Sequence, residues 1–331
     1  VSRALVARAP TRLDFGGGWT DVPPYSDREG GAVCNVAITR YATATVALHG
    51  HVAARGDASS RDDALIRAAL RRADIPGAEA TLVSDFPVGA GLGGSSAAGV
   101  ALAGALAELA GEGRSRGELA ERSRATEVEE LGVAGGFQDH YAAAYGGALL
   151  LTFGGCVGVE QLAMPGDTAD ALARRALLVY TGESRISGDT ITAVRDAYLA
   201  GDARVCGALA RMKALAGKMA AALRQGDLDT LGPLVGEHWT HQRSLHPSIT
   251  TARIDAIVAA AARAGALGVK ALGASGGGCV VAIAAEGREA ELAEALAPLG
   301  DRLAYRVDHA GFDLIASFNE RHVQQGEEPE R

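Results

Sequence analysis

The stretch Asp85-Phe-Pro-Val-Gly-Ala-Gly-Leu-Gly-Gly-Ser-Ser-Ala-Ala98 constrains this chain more than any other. A strand-like run over 80–84 leads into it, and an Ala/Leu-rich run with helical character follows over 95–110. Glycines 89, 91, 93 and 94 leave the backbone between the two elements unshielded. A junction of this kind directs free N–H groups and the positive end of a helix at one point, which suits a phosphate. Ser95 and Ser96 place two hydroxyls at the same point, and hydroxyl oxygens can ligate a cation that travels with phosphates. The segment reads as a nucleotide-triphosphate site, with Gly89, Gly91, Leu92, Gly93, Gly94, Ser95 and Ser96 binding phosphate.

Competing readings fit less well. Gly89-x-Gly91-x-x-Gly94 formally matches a dinucleotide fingerprint, but Pro87 interrupts the strand exit. The acids that follow, Glu108 and Glu112, fall within or at the end of the helix, where a Rossmann unit needs one on its next strand. No Gly-Lys-Ser/Thr ends the loop, which excludes the common P-loop. A purely structural turn leaves so many adjacent glycines, each costly in backbone entropy, without a reason.

The 331 residues give room for two domains. Strand-like runs lie at 4–9, 32–48, 80–84, 148–153, 176–180, 269–272, 279–284 and 303–307. Helical runs lie at 61–73, 95–110, 115–131 and 286–297, and over 191–263 with breaks near Pro233 and Pro247. Strands mixed with helices in this irregular order predict an α+β fold. The boundary falls within 180–190, giving domains 1–185 and 186–331, and a frayed tail is expected from Gln324. The net charge of −8 argues against a nucleic-acid partner, whose footprint would be a basic patch. The longest apolar run, 97–107, is too short to span a bilayer, so no membrane partner is expected. The first residues lack the regions of a signal peptide, and Cys34, Cys156, Cys206 and Cys279 show no paired spacing. A cytoplasmic protein with buried thiols is the expectation, and oligomeric state stays open, a homodimer included.

Three more segments carry chemistry. In Arg12-Leu-Asp-Phe-Gly-Gly-Gly-Trp-Thr-Asp21, charges alternate with glycines: either a solvated surface loop or a binding loop. Trp19 there offers an apolar face with a polar edge, suited to a sugar ring, and Asp21 offers two acceptors for vicinal hydroxyls. Asp139 follows the pair Gly135-Gly136, so its carboxylate either points into a cleft or caps the helix beginning at His140. Of Glu127, Glu129 and Glu130, at most one is expected to point inward. The cluster Gly273-Ala-Ser-Gly-Gly-Gly-Cys279 is either a tight turn or a backbone that approaches a ligand closely. His238 and His241 share a helix face, but zinc would want a third ligand.

Taken together, these segments resemble the GHMP kinases over nearly the whole chain. Pro87 to Ala98 resembles the family's phosphate loop, Gly136-Phe-Gln-Asp139 its segment with the catalytic aspartate, and Gly273 to Cys279 its C-terminal glycine motif. Ser275 stands where alanine or glycine is more usual. The resemblance implies a ribosomal protein S5 domain 2-like ATP-binding domain followed by a ferredoxin-like C-terminal domain. It also implies Asp139 and Arg12 as catalytic residues, Ser96 and Glu127 as ligands of Mg²⁺, and ATP as co-substrate. The first motif, with Gly30 to Ile38, is similar to that of L-fucokinases and D-glycero-D-manno-heptose 7-phosphate kinases. The implied reaction is phosphorylation of the anomeric (C1) hydroxyl of a sugar or sugar phosphate. Asp21, Asp14, Trp19 and Gly276 are then substrate-binding residues, and Arg185 is the candidate contact for a substrate phosphate. Fused fucokinases carry an additional nucleotidyl-transferase region that is absent from these 331 residues, so a kinase acting alone is the expectation. A mevalonate- or homoserine-type acceptor, and an inactive sugar- and ATP-binding sensor, are the alternatives.

Overall fold

The opening strands are long because their apolar residues keep a two-residue period. Leu5, Ala7, Ala9, Leu13 and Phe15 of β1 (Ser2–Gly16) all face inward, as do Ala42, Ala44 and Val46 of β2 (Gly31–Leu48). A computed structural model describes residues 2–48, 60–183 and 188–320. In it β1 and β2 pair antiparallel at the centre of a six-stranded sheet with β3 (Ala78–Ser84), β4 (Ala148–Gly154), β5 (Cys156–Leu162) and β10 (Asp313–Glu320). The strand order is β10-β1-β2-β4-β5, with β3 also on β2. The helix Gly94–Leu109 is apolar on all sides and is correspondingly buried, packed across β1 and β2.

A second sheet, of order β7-β8-β6-β9, holds β6 (Ala176–Tyr180), β7 (Ala266–Ala271), β8 (Cys279–Ala284) and the two-residue β9 (Asp301–Arg302). The helices Leu228–Leu245 and Ala252–Arg263 pack on it, and Ala203–Gln225 packs against the first of these and against β1, β2 and β4 of the first sheet. A shared apolar layer including Phe15, Ile38, Leu92, Leu178, Met219 and Val281 joins the two halves. The architecture is α+β in two domains.

Sheet membership departs from a division at residue 185. β6 lies before it yet belongs to the second sheet, while β10, the last described strand, returns to pair with β1. The expected strand at 303–307 is reduced to one bridge from Val307 to Ile38, and the short β9 lies just before it. Pro233 does not break its helix, which runs through it from Leu228 to Leu245. As the sixth helical residue it frees a single carbonyl near the start, where the side chain of Asp227 already caps the N-terminus. The expected helix over 115–131 is α-helical only over Arg116–Ala125, then widens into a π-turn at Thr126–Glu130.

Candidate active site

The loop between β3 and the helix Gly94–Leu109 takes its shape from a second loop pressed against it. Gly91 has φ +72°, and a Cβ there would stand 2.8 Å from the carbonyl oxygen of Leu272. The N–H of Cys279 donates to the carbonyl of Ala90 at 2.8 Å. Only glycine combines that φ with so close an approach. The helix then begins directly after Gly93, and its first-turn N–H groups have no intrahelical partners by geometry. The Gly273–Gly278 segment and its flanks Leu272 and Cys279 thus brace the 89–94 loop. Gly276, expected among the substrate contacts, is turned away: its N–H donates to Ile249 O at 2.9 Å, and it is absent from the cavity wall. Ser275 and Gly277 line the cavity instead.

Arg12 enters from β1 and is almost wholly buried. Its Nε and Nη2 both lie 2.7 Å from Asp139 Oδ1, and its Nη1 donates to Gly91 O at 2.7 Å. One guanidinium therefore ties the expected base to the glycine loop at Gly91. Asp139 sits beside Gly93, where a Cβ would come 3.1 Å from Asp139 Oδ2. Asp139 lies in the first turn of the helix Gln138–Tyr145, whose opening has a cap from elsewhere in the chain. Asp21 Oδ2 accepts from the N–H groups of Phe137 and Gln138, at 2.9 and 3.0 Å. Burial pushes the Asp21 carboxyl up to about 6, against those hydrogen bonds and with the repulsion of Asp139 and Asp14. Asp21 lines the cavity, yet one of its oxygens is committed to holding the helix that carries Asp139.

At the other end of the loop, Ser95 Oγ donates to Glu127 Oε1 at 2.5 Å and Ser96 Oγ to Glu127 Oε2 at 3.3 Å. Glu127 rides on the π-turn, a distortion often found at functional sites. Glu129 and Glu130 face outward and pair with Arg72 and Arg71. A single carboxylate with hydroxyl oxygens is the donor set Mg²⁺ takes alongside phosphates, so these residues fit that ion. Among the described residues no group of three His, Cys, Asp or Glu gathers as a metal cluster. His238 instead accepts from the N–H of Gly17 at 2.9 Å.

Asp14 is less available than the sequence suggests. Lys270, fully buried on β7, places Nζ 3.1 Å from Asp14 Oδ2 and 2.6 Å from Asp14 O. Burial alone would raise the Asp14 carboxyl, but Lys270, His238 and Arg12 together hold it below the usual range. Trp19 walls the cavity while packing into the core of the second domain with Tyr25 and Val194, on a backbone at φ +78°. Arg185 lies outside the described residues.

These groups line one cavity of about 740 Å³, a size that holds a ligand of nucleotide scale. One end carries Arg12, Asp14, Trp19, Asp21 and Asp139; the other is walled by Leu65, Leu82, Val83, Phe86 and Val88. Sequence reasoning missed that apolar wall, and it missed Lys270 and His140. Lys270 did leave a signal, a lone cation inside the apolar run Val269 to Leu272.

Two family models match the chain, the GHMP kinases N terminal domain over 57–147 and the GHMP kinases C terminal over 219–299. Together they take in more than half of it. The chain belongs to the GHMP kinases. Among its GHMP relatives is the D-glycero-alpha-D-manno-heptose 7-phosphate kinase of Campylobacter jejuni, 28% identical over 83% of this chain and 88% of that protein. The L-fucokinase/L-fucose-1-P guanylyltransferase of Bacteroides fragilis is 27% identical over 84% of this chain. This chain spans only 34% of that longer protein, and 32% of the bifunctional fucokinase/GDP-fucose pyrophosphorylase of Arabidopsis thaliana. A solved structure of a D-glycero-D-manno-heptose 1-phosphate kinase from Bacteriodes thetaiotaomicron superposes with a TM-score of 0.74 at 25% identity. That superposition covers 97% of this chain and 100% of the other. No helix among the described residues of this GHMP kinase is long and apolar enough to cross a membrane.

Proposed function

We propose that this chain transfers the γ-phosphoryl group of ATP to the anomeric hydroxyl of a sugar. The observation that carries this reading is the Arg12–Asp139 pair, tied to the phosphate loop at Gly91 and set beside Gly93. Adenine would occupy the apolar end of the cavity, with the phosphates on the 89–96 loop and the helix start. Mg²⁺ held by Ser96, Glu127 and phosphate oxygens would neutralise charge as the phosphoryl group moves. Arg12 engages Asp139 through Oδ1 alone, which leaves Oδ2 to receive the proton of the attacking hydroxyl. The same guanidinium holds the carboxylate in place and offsets negative charge on the transferring group. Asp21 and Trp19 would set the acceptor, and Asp21 also fixes the pose of Asp139 through the helix start.

The described residues of the acceptor end suit an uncharged sugar better than a sugar phosphate; Arg185, the expected phosphate contact, is not among them. Among the described residues lining the cavity, Arg12 is the single Lys or Arg, and three carboxylates surround it. A panel of free and phosphorylated sugars with Mg-ATP, read by phosphorus NMR of the product, tests both points. Phosphate on C1 of a free hexose is the expected result. Turnover of mevalonate or homoserine alone would refute the sugar assignment, and turnover of heptose 7-phosphate alone would refute the preference for a free sugar.

A further inference from the structure

The helix Gln138–Tyr145 sends neighbouring side chains to opposite ends of the phosphate loop. Asp139 meets Arg12, while His140, buried, lies against the Ser96–Glu127 pair. Its Nε2 is 3.2 Å from Glu127 Oε2 and 3.3 Å from Ser96 Oγ, and its Nδ1 is 2.9 Å from Ser123 Oγ. None of the steps above uses this histidine. We propose that His140 is a positioning residue that orients the Glu127 carboxylate for a divalent cation, with Ser123 setting its tautomer. The proposal rests on the assignment of Ser96 and Glu127 as cation ligands.

The hydrogen-bond inventory fixes the direction of the chain. An ionised carboxylate only accepts, so the ring nitrogen facing Glu127 carries the proton. Nδ1 is then an acceptor, and the Ser123 hydroxyl at 2.9 Å is its donor. Ser123 Oγ has one proton and a second acceptor within reach, Ser96 O, at the longer distance of 3.3 Å. The relay Ser123 to His140 to Glu127 has every donor pointed the same way. Glu127 needs such a partner because it stands on the π-turn, out of α-helical register. The helix on the other side makes room for the relay. Gly99 is a glycine in the middle of a buried Ala/Leu-rich helix, a position that favours alanine by about 1 kcal/mol. A Cβ at Gly99 would stand 2.3 Å from Ser123 Oγ.

The test compares His140→Gln with His140→Asn. A glutamine amide can present an N–H near the position of Nε2, whereas an asparagine amide reaches only that of Nδ1. Mn²⁺ binding to the protein with a non-hydrolysable ATP analogue, followed by EPR, reads the cation site without any sugar or turnover. His140→Asn should weaken Mn²⁺ binding by about 10-fold or more, the usual cost of losing a residue that orients a metal ligand. His140→Gln should restore most of that affinity, and thermal midpoints of the two variants should agree. Ser123→Ala and Gly99→Ala act on the relay from outside the ligand set, and both should weaken Mn²⁺ binding. Equal weakening by Asn and Gln, or Mn²⁺ affinity unchanged in His140→Asn, would overturn the proposal. A wild-type protein that binds no Mn²⁺–nucleotide would overturn it together with the cation site itself. Absence of sugar phosphorylation, with Mn²⁺ affinities ordered as expected, would refute only the acceptor.

Discussion

Lys270→Met tests what holds the acceptor end of the cavity in shape. Lys270 Nζ lies 3.1 Å from Asp14 Oδ2, both residues are buried, and the pair links β7 of one sheet to β1 of the other. At an effective dielectric of about 20, charges at that distance attract by about 5 kcal/mol, before the cost of desolvating them. Removing one partner leaves a carboxylate buried without its cation, which destabilises by about 3–5 kcal/mol. For a chain this long that lowers the melting midpoint by about 4–7 °C. The double variant Asp14→Leu/Lys270→Met removes both charges and should lose much less than the single, because no ion stays unpaired. The pH dependence should also change sign. In the wild type the Asp14 carboxyl lies below its ordinary value, so its contribution is present above about pH 4 and is lost as pH falls further. Without Lys270, burial raises the same carboxyl above its unfolded value, and Lys270→Met should gain stability as pH falls toward 4. Denaturant and thermal melts of the four proteins of the cycle, at pH 7 and pH 5, measure all of this. A single-variant loss below about 1 kcal/mol, or a double variant that loses the sum of its singles, would refute the reasoning.

Three further outcomes follow from the geometry. Asp139→Asn should lower kcat by about 10²- to 10⁴-fold while an ATP analogue still binds, because an amide cannot take the acceptor's proton; steady-state kinetics beside calorimetric titration checks this. Asp21, with its carboxyl at about 6, should make the rate rise as pH passes upward through 6, since the ionised form accepts better from Phe137 and Gln138; Asp21→Asn should flatten that limb of the pH–rate profile. Its stability term has the opposite sign: a carboxyl raised on folding binds its proton more tightly in the native state, so stability falls between pH 4 and 6 as the proton leaves. Gly91→Ala forces a side chain to φ +72° with its Cβ 2.8 Å from Leu272 O, and should cost about 1–3 kcal/mol in a thermal melt while raising KM for ATP.

Local chemistry was legible in the amino-acid sequence because it acts over a few residues. The glycines at 89–94, the hydroxyls of Ser95 and Ser96 and the helix after them read as a phosphate cradle from adjacent residues, although the loop's shape is completed by Leu272 and Cys279. Arg12, Glu127 and Asp139 were nameable because they sit in motifs whose order along the chain resembles that of a known family. The two-residue period of β1 and β2, and the all-round apolar helix that packs across them, likewise come from neighbours in sequence. The tertiary structure decided everything that depends on distant segments meeting. Lys270 finds Asp14 across 256 residues, and β10 returns to β1 from the far end of the chain. Gly276 belongs to a motif that reads as ligand-facing, yet the packing of Ile249 claims its N–H and turns it away. Asp21 reads as a sugar contact, and only the approach of residues 137 and 138 makes it also the cap of the helix that carries Asp139. A side chain's partners follow from the register and packing of elements that local sequence does not relate to one another, so the residues could be named from the chain and their roles only from the fold.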